Sequence, residues 1–271
     1  MPAALWYEVA GRGLPVVLLH AGIADSRMWD PQFASFAHEY RVVRFDARGF
    51  GRSPYAPGRF SPVDDVRELL DRLGIARAAL VGASSGGAVA LDVAIAYPER
   101  VWALVLVGAT VRGRPWSAEV RRFQADEAEA LAAGDLERAV ELNLRLWVDG
   151  RRPPGTVPEA LRARVAGMQR RAFDLERERA ALEPAPEPVG PLWRTEPRLG
   201  EVRAPTLVVV GEADVADVHE ASALLAERVA GARQAVIGGA AHLPSLERPQ
   251  EFDRLVLDFL ASAAPAGSDR H

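Results

Sequence analysis

The stretch Ala79-Leu80-Val81-Gly82-Ala83-Ser84-Ser85-Gly86-Gly87-Ala88 decides the fold. A short β-forming run, Ala79–Val81, enters a Gly-x-Ser-x-Gly turn, and a helical segment, Ser85–Tyr97, leaves it. A strand-to-helix turn this sharp strains the backbone of its central residue. Glycine at 82 and 86 removes side chains that would strike neighbouring elements, and Gly87 allows close packing. The turn predicts the Ser84 hydroxyl at the carboxyl edge of a sheet, with a helix N-terminus pointing at it.

Working outward, short apolar runs alternate with helix-length amphipathic segments. The runs are Val16–Leu19, Val42–Phe45, Ala103–Val107, Thr206–Val210 and Gln234–Ile237, and the helices Pro31–His38, Asp64–Leu73, Glu220–Val229 and Pro249–Ala261. Most runs are continuous rather than alternating, as in parallel strands buried on both faces. The pattern predicts an α/β protein with a mostly parallel twisted sheet and helices on both faces. The alternation breaks between about Val111 and Leu199, where three helices are expected near Ala118–Ala133, Leu136–Trp147 and Glu159–Leu182. We therefore expect a core of residues 1–110 and 200–262, a helical insertion over 111–199, and a disordered tail over 263–271. Such an insertion forms a lid or a structural subdomain.

Composition narrows the chemistry. The 271 residues contain no cysteine and no lysine, so all 33 basic side chains are arginine, against 37 acidic ones. Thiol nucleophiles, disulfides, lysine Schiff bases and a P-loop lysine are thereby excluded. The net charge of −4 argues against a dedicated nucleic-acid binder. No secretory signal or membrane-spanning run is visible, and a cytoplasmic protein is expected.

A serine needs a base to take its proton. Of five histidines, His271 is terminal, His38 lies in a predicted helix, His219 stands at a helix start, and His20 ends a strand. His242 lies in Gly238-Gly239-Ala240-Ala241-His242-Leu243-Pro244, a glycine-rich loop that can carry an imidazole over a strand end, and is the expected base. A carboxylate must orient that imidazole. Asp214, directly after the run Thr206–Val210, is the candidate, with Asp217 and Glu212 as competitors. Ser85, after the nucleophile, offers a backbone N–H to an oxyanion.

His20-Ala21-Gly22, Asp46-Ala47-Arg48-Gly49-Phe50-Gly51-Arg52-Ser53, Gly82–Gly86, Gly211–Asp214 and His242-Leu243-Pro244-Ser245-Leu246-Glu247-Arg248-Pro249 together resemble the α/β-hydrolase superfamily, over essentially the whole chain. The nearest likeness is to lidded esterases and enol-lactonase-like hydrolases. The resemblance implies a Ser84–Asp214–His242 triad, a second oxyanion N–H from Gly22 and a lid after the sixth strand. Ala21 stands where many relatives have glycine, which leaves Ile23 as the alternative donor. His20 is expected to hold this loop by hydrogen bonding, and Asp46 and Arg48 to brace a turn rather than bind substrate. Trp116, Trp147, Met168, Trp193 and Leu243 are candidates for an apolar substrate pocket, or for packing.

The expected activity is hydrolysis of a small-molecule ester or lactone, with no cofactor, metal, nucleic-acid or membrane partner. A ligand-binding receptor of the same fold and a cofactor-free perhydrolase would share these residues.

Overall fold

The computed structural model describes residues 5–189 and 194–265. Among the described residues, nine strands form: β1 (Tyr7–Ala10), β2 (Pro15–Leu19), β3 (Arg41–Phe45), β4 (Arg59–Phe60), β5 (Ala78–Ala83), β6 (Val101–Val107), β7 (Glu187–Pro188), β8 (Thr206–Gly211) and β9 (Arg233–Ile237). Nine α-helices accompany them in the same described residues: α1 (Asp30–Phe36), α2 (Pro62–Arg72), α3 (Ser85–Ala96), α4 (Ala118–Ala132), α5 (Leu136–Asn143), α6 (Glu159–Arg179), α7 (Ala216–Arg228), α8 (Pro244–Glu247) and α9 (Pro249–Ala263).

Seven strands build one sheet in the order β1-β3-β2-β5-β6-β8-β9, parallel throughout except for β1 against β3. Successive residues of a strand face opposite sides. In β2, Val16 and Leu18 pack with Phe36 of α1 and Phe252 of α9, whereas Val17 and Leu19 pack with Val66 of α2 and Leu91 of α3. Both faces are covered, which is why these strands read as unbroken apolar runs. The order reverses between β2 and β5, so the loops leaving these two strands open a crevice at their carboxyl ends.

Between β6 and β8 the chain leaves the sheet to form α4, α5 and α6. The helix expected to run unbroken to Trp147 instead ends as α-helix at Asn143 and continues as a π-helical turn, Leu144–Asp149. That wider turn changes which side chains face the sheet edge. On its way back the chain adds β7 alongside β4, a two-residue parallel pairing that periodicity cannot reveal. The expected disordered tail overlaps α9 at Ala263, and residues 266–271 lie outside the described residues.

Candidate active site

Ser84 sits between β5 and α3 at φ 51°, the one non-glycine residue with positive φ among the described residues. Its N–H donates to the Val107 carbonyl (2.8 Å) and its carbonyl accepts the Ala88 N–H (2.9 Å), which hold the strained turn from both sides. A side chain at Gly82 would put its Cβ 2.5 Å from the Gly86 carbonyl oxygen, and one at Gly86 would come within 2.4 Å of the His20 oxygen. The two glycines are therefore demanded by the close approach of strand, helix and neighbouring loop.

His242 and Asp214 are 2% and 1% exposed. His242 Nδ1 stands 2.8 Å from Asp214 Oδ2, while Asp214 Oδ1 accepts the Val215 N–H at 2.8 Å. Nδ1 facing a carboxylate carries the proton, which leaves Nε2 as the basic nitrogen. Gly108 gives the pair room: a Cβ there would lie 3.2 Å from His242 Nδ1 and 3.4 Å from Asp214 Oδ2. Gly108 follows Val107, the residue that holds the Ser84 N–H, so one strand end links serine and imidazole. Among the described residues no hydrogen bond joins the Ser84 hydroxyl to the His242 ring. Contacts of this kind commonly tighten only when substrate is bound.

Both competing carboxylates are engaged elsewhere. Glu212 Oε2 accepts the Gly239 N–H at 2.8 Å. Asp217 lies in the first turn of α7 and takes the Ser117 N–H at 2.6 Å, tying α7 to the start of α4.

Gly22 lies beside the elbow, where an added Cβ would come within 3.1 Å of Ser85 Oγ. Ile23, the alternative donor residue, has its side chain in the core. His20 fixes this loop with both ring nitrogens: Nδ1 donates to the Ala21 carbonyl and Nε2 accepts the Ala47 N–H, each at 2.9 Å. Burial lowers its pKa, and the neutral ring is the form that can both donate and accept. Asp46 braces the adjoining turn, accepting the Ser26 N–H at 2.8 Å and the Arg52 N–H at 2.9 Å.

The aromatic and aliphatic candidates scatter. The Trp147 ring lies against that of His242, with centroids 4.6 Å apart, and its carbonyl accepts the His242 N–H at 3.3 Å. Met168 and Leu243 are buried core residues. Trp116 lines a small pocket with Asp217 and Glu220, near the start of α7. Trp193 lies outside the described residues. A cavity of about 310 Å³ opens instead where Gly22 and Ser85 meet, walled by Phe50, Tyr55, Phe60 and Val89, with Arg48 and Arg112. Arg48, expected as a turn brace, is paired with Asp65 at 2.7 Å in this wall.

One brace escaped the sequence reading. Glu247 Oε1 accepts the N–H groups of Ala241 (3.0 Å) and Leu243 (3.2 Å), the residues on either side of His242. Its other oxygen pairs with Arg152, which follows the π-helical turn and also donates to the Gly239 carbonyl. Glu247 was visible in the motif after His242, but nothing local marks Arg152, 95 residues away.

A sequence model of the Alpha/beta hydrolase family matches residues 16–255. RutD of Rhizobium rhizogenes, named for carbamate hydrolysis, is 31% identical over 264 residues, covering 94% of this chain and 97% of that protein. The 2-hydroxy-6-oxo-6-phenylhexa-2,4-dienoate hydrolase of Comamonas testosteroni is 30% identical, covering 94% and 90%. Among solved structures, the enol-lactonase of Burkholderia xenovorans superposes with a TM-score of 0.77 at 25% identity, covering 96% and 99%.

Proposed function

The chain belongs to the alpha/beta hydrolase family, and from that premise we propose a serine hydrolase that cleaves a small carboxylic ester or lactone through an acyl-enzyme. The observation that carries this reading is the strained Ser84 backbone at the mouth of the crevice. A non-glycine residue is held at positive φ only where the surroundings over-determine it, and such residues cluster at functional sites.

Ser84 Oγ attacks the carbonyl carbon while His242 Nε2 takes its proton, and Asp214 stabilises the imidazolium through Nδ1. The carbonyl oxygen becomes an oxyanion between the N–H groups of Gly22 and Ser85. Collapse breaks the bond to the leaving alcohol, which receives the proton from His242. Water then attacks the acyl-enzyme with His242 as base, and the acid departs as Ser84 is regenerated. The helical segment 111–199 serves as a lid over this site, and no step calls for a cofactor. The solved enol-lactonase supports the lactone side of the reading.

The test is a p-nitrophenyl phosphonate together with a panel of esters and lactones. One label on Ser84, and turnover abolished by Ser84→Ala, are the expected results. Labelling elsewhere, or full turnover in Ser84→Ala, would overturn the assignment.

A further inference from the structure

We propose that the cavity at Gly22 and Ser85 is the acyl-binding subsite, and that it selects an uncharged, bulky apolar acyl group such as an arylalkyl chain. The inference rests on the serine-hydrolase reading and extends it to substrate class.

The direction follows from the chemistry. The leaving group must lie toward His242, which protonates it. With the oxyanion held between Gly22 and Ser85, the acyl chain must run away from His242. The cavity lies on that side: Gly22, Ser85 and Gly86 line it beside the elbow, and neither Ser84 nor His242 does. Its volume, about 310 Å³, is that of a pocket able to enclose a drug-sized group. The wall comes from the end of β3, the following loop, α2 and α3, and Pro188 of β7 closes it. Tyr55 is tied to Glu176 of α6, and burial pushes its phenol up to about 12, so it stays neutral.

The charges in the wall cancel. Arg48 binds Asp65 through two nitrogens, at 2.7 and 3.2 Å, with the two side chains 8% and 11% exposed. Arg112 binds Asp92 at 2.8 Å, and Asp92 also accepts the Thr195 hydroxyl at 2.8 Å. Burial lowers the His20 pKa, against the pull of its hydrogen bond to the Ala21 carbonyl, and its Nε2 is occupied in accepting the Ala47 N–H. An entering carboxylate would meet no uncompensated cation among the described lining residues, and would have to break a buried pair or remain unpaired. An apolar chain meets neither penalty.

The experiment measures labelling rates with three p-nitrophenyl phosphonate diesters whose arms are methyl, 3-phenylpropyl and 3-carboxypropyl. In each, a bond forms from Ser84 Oγ to phosphorus and the bond to p-nitrophenolate breaks, the serine proton passing to His242. The phenylpropyl reagent should label about tenfold or more faster than methyl, and carboxypropyl more slowly than methyl. Val89→Trp, which fills the cavity, should slow the phenylpropyl reagent about tenfold more than the methyl one. Phe60→Ala, which opens the wall, should narrow the preference from the other direction, and thermal unfolding verifies that each variant folds. Equal rates for the three arms, a fastest rate for carboxypropyl, or variants that slow every arm alike would overturn the subsite while leaving the nucleophile intact. Absence of label on Ser84 from every reagent would instead defeat the serine-hydrolase reading on which it rests.

Discussion

The Trp147 ring lies 4.6 Å, centroid to centroid, from the His242 imidazole, tilted by 39°. Trp147 is also held edge-on by Phe123 of α4 at 5.9 Å, so the helical segment between β6 and β8 buttresses the proposed base. Trp147, a candidate from the sequence for pocket wall or for packing, therefore packs on the imidazole, and we propose that it positions it.

Trp147→Ala should therefore lower kcat for every ester by about ten- to hundredfold, because small misplacements of a catalytic group are costly. Labelling of Ser84 by the methyl phosphonate should slow in parallel, and Trp147→Phe should recover most of both. Losses confined to bulky acyl chains would assign Trp147 to substrate selection instead.

Arg152 neutralises the buried Glu247 that spans the His242 loop. Burial pushes the Glu247 carboxyl above its ordinary range, against the pull of Arg152 and two backbone N–H groups. The folded protein then holds this proton more tightly than the unfolded chain, so this group's contribution to stability falls as pH rises through the raised value. Arg152→Ala removes the compensating cation and should cost about 3–5 kcal/mol at mildly alkaline pH. The loss should shrink on acidification as Glu247 takes up its proton. Urea unfolding at two pH values measures this, and a pH-independent loss would argue against it.

Asp214 and Asp217, three residues apart, make different contacts and should respond differently to the same change. Asp214→Asn leaves an amide opposite His242 Nδ1 and favours the wrong tautomer, which in serine proteases costs about 10⁴-fold in kcat. Asp217→Asn keeps a carbonyl oxygen for the Ser117 N–H and should leave kcat close to wild type. Steady-state kinetics on the two folded variants decide the matter, the reverse order excluding Asp214.

His20→Ala removes both links that hold the Gly22 loop. If that loop supplies an oxyanion donor, kcat should fall about 10²–10³-fold with little change in KM. The variant should also show a weaker stability loss in acid. Burial lowers the His20 pKa, so the unfolded chain binds its proton first, and wild-type stability falls as pH drops below about 6.5 toward the folded-state value. Denaturant unfolding of wild type and variant at neutral and acid pH checks the sign.

What the sequence determined by itself is what local pattern encodes. Unbroken apolar runs marked the parallel strands, because each is buried on both faces. Glycines at 82 and 86 marked the elbow, because the chain there approaches its neighbours too closely for any Cβ. The loop after β9 and the end of β8 put His242 and Asp214 at one sheet edge, since adjacent parallel strands end together. Tertiary structure alone decided which groups support them. Arg152 meets Glu247 across 95 residues, and Trp147, in the π-helical turn that follows α5, reaches His242. The cavity wall likewise brings the loop after β3 together with α3 and β7, which no periodicity links. A residue's own neighbours in sequence fix its element and its face. Its partners across the fold depend on how separate elements pack, and those contacts exist only once the chain has folded.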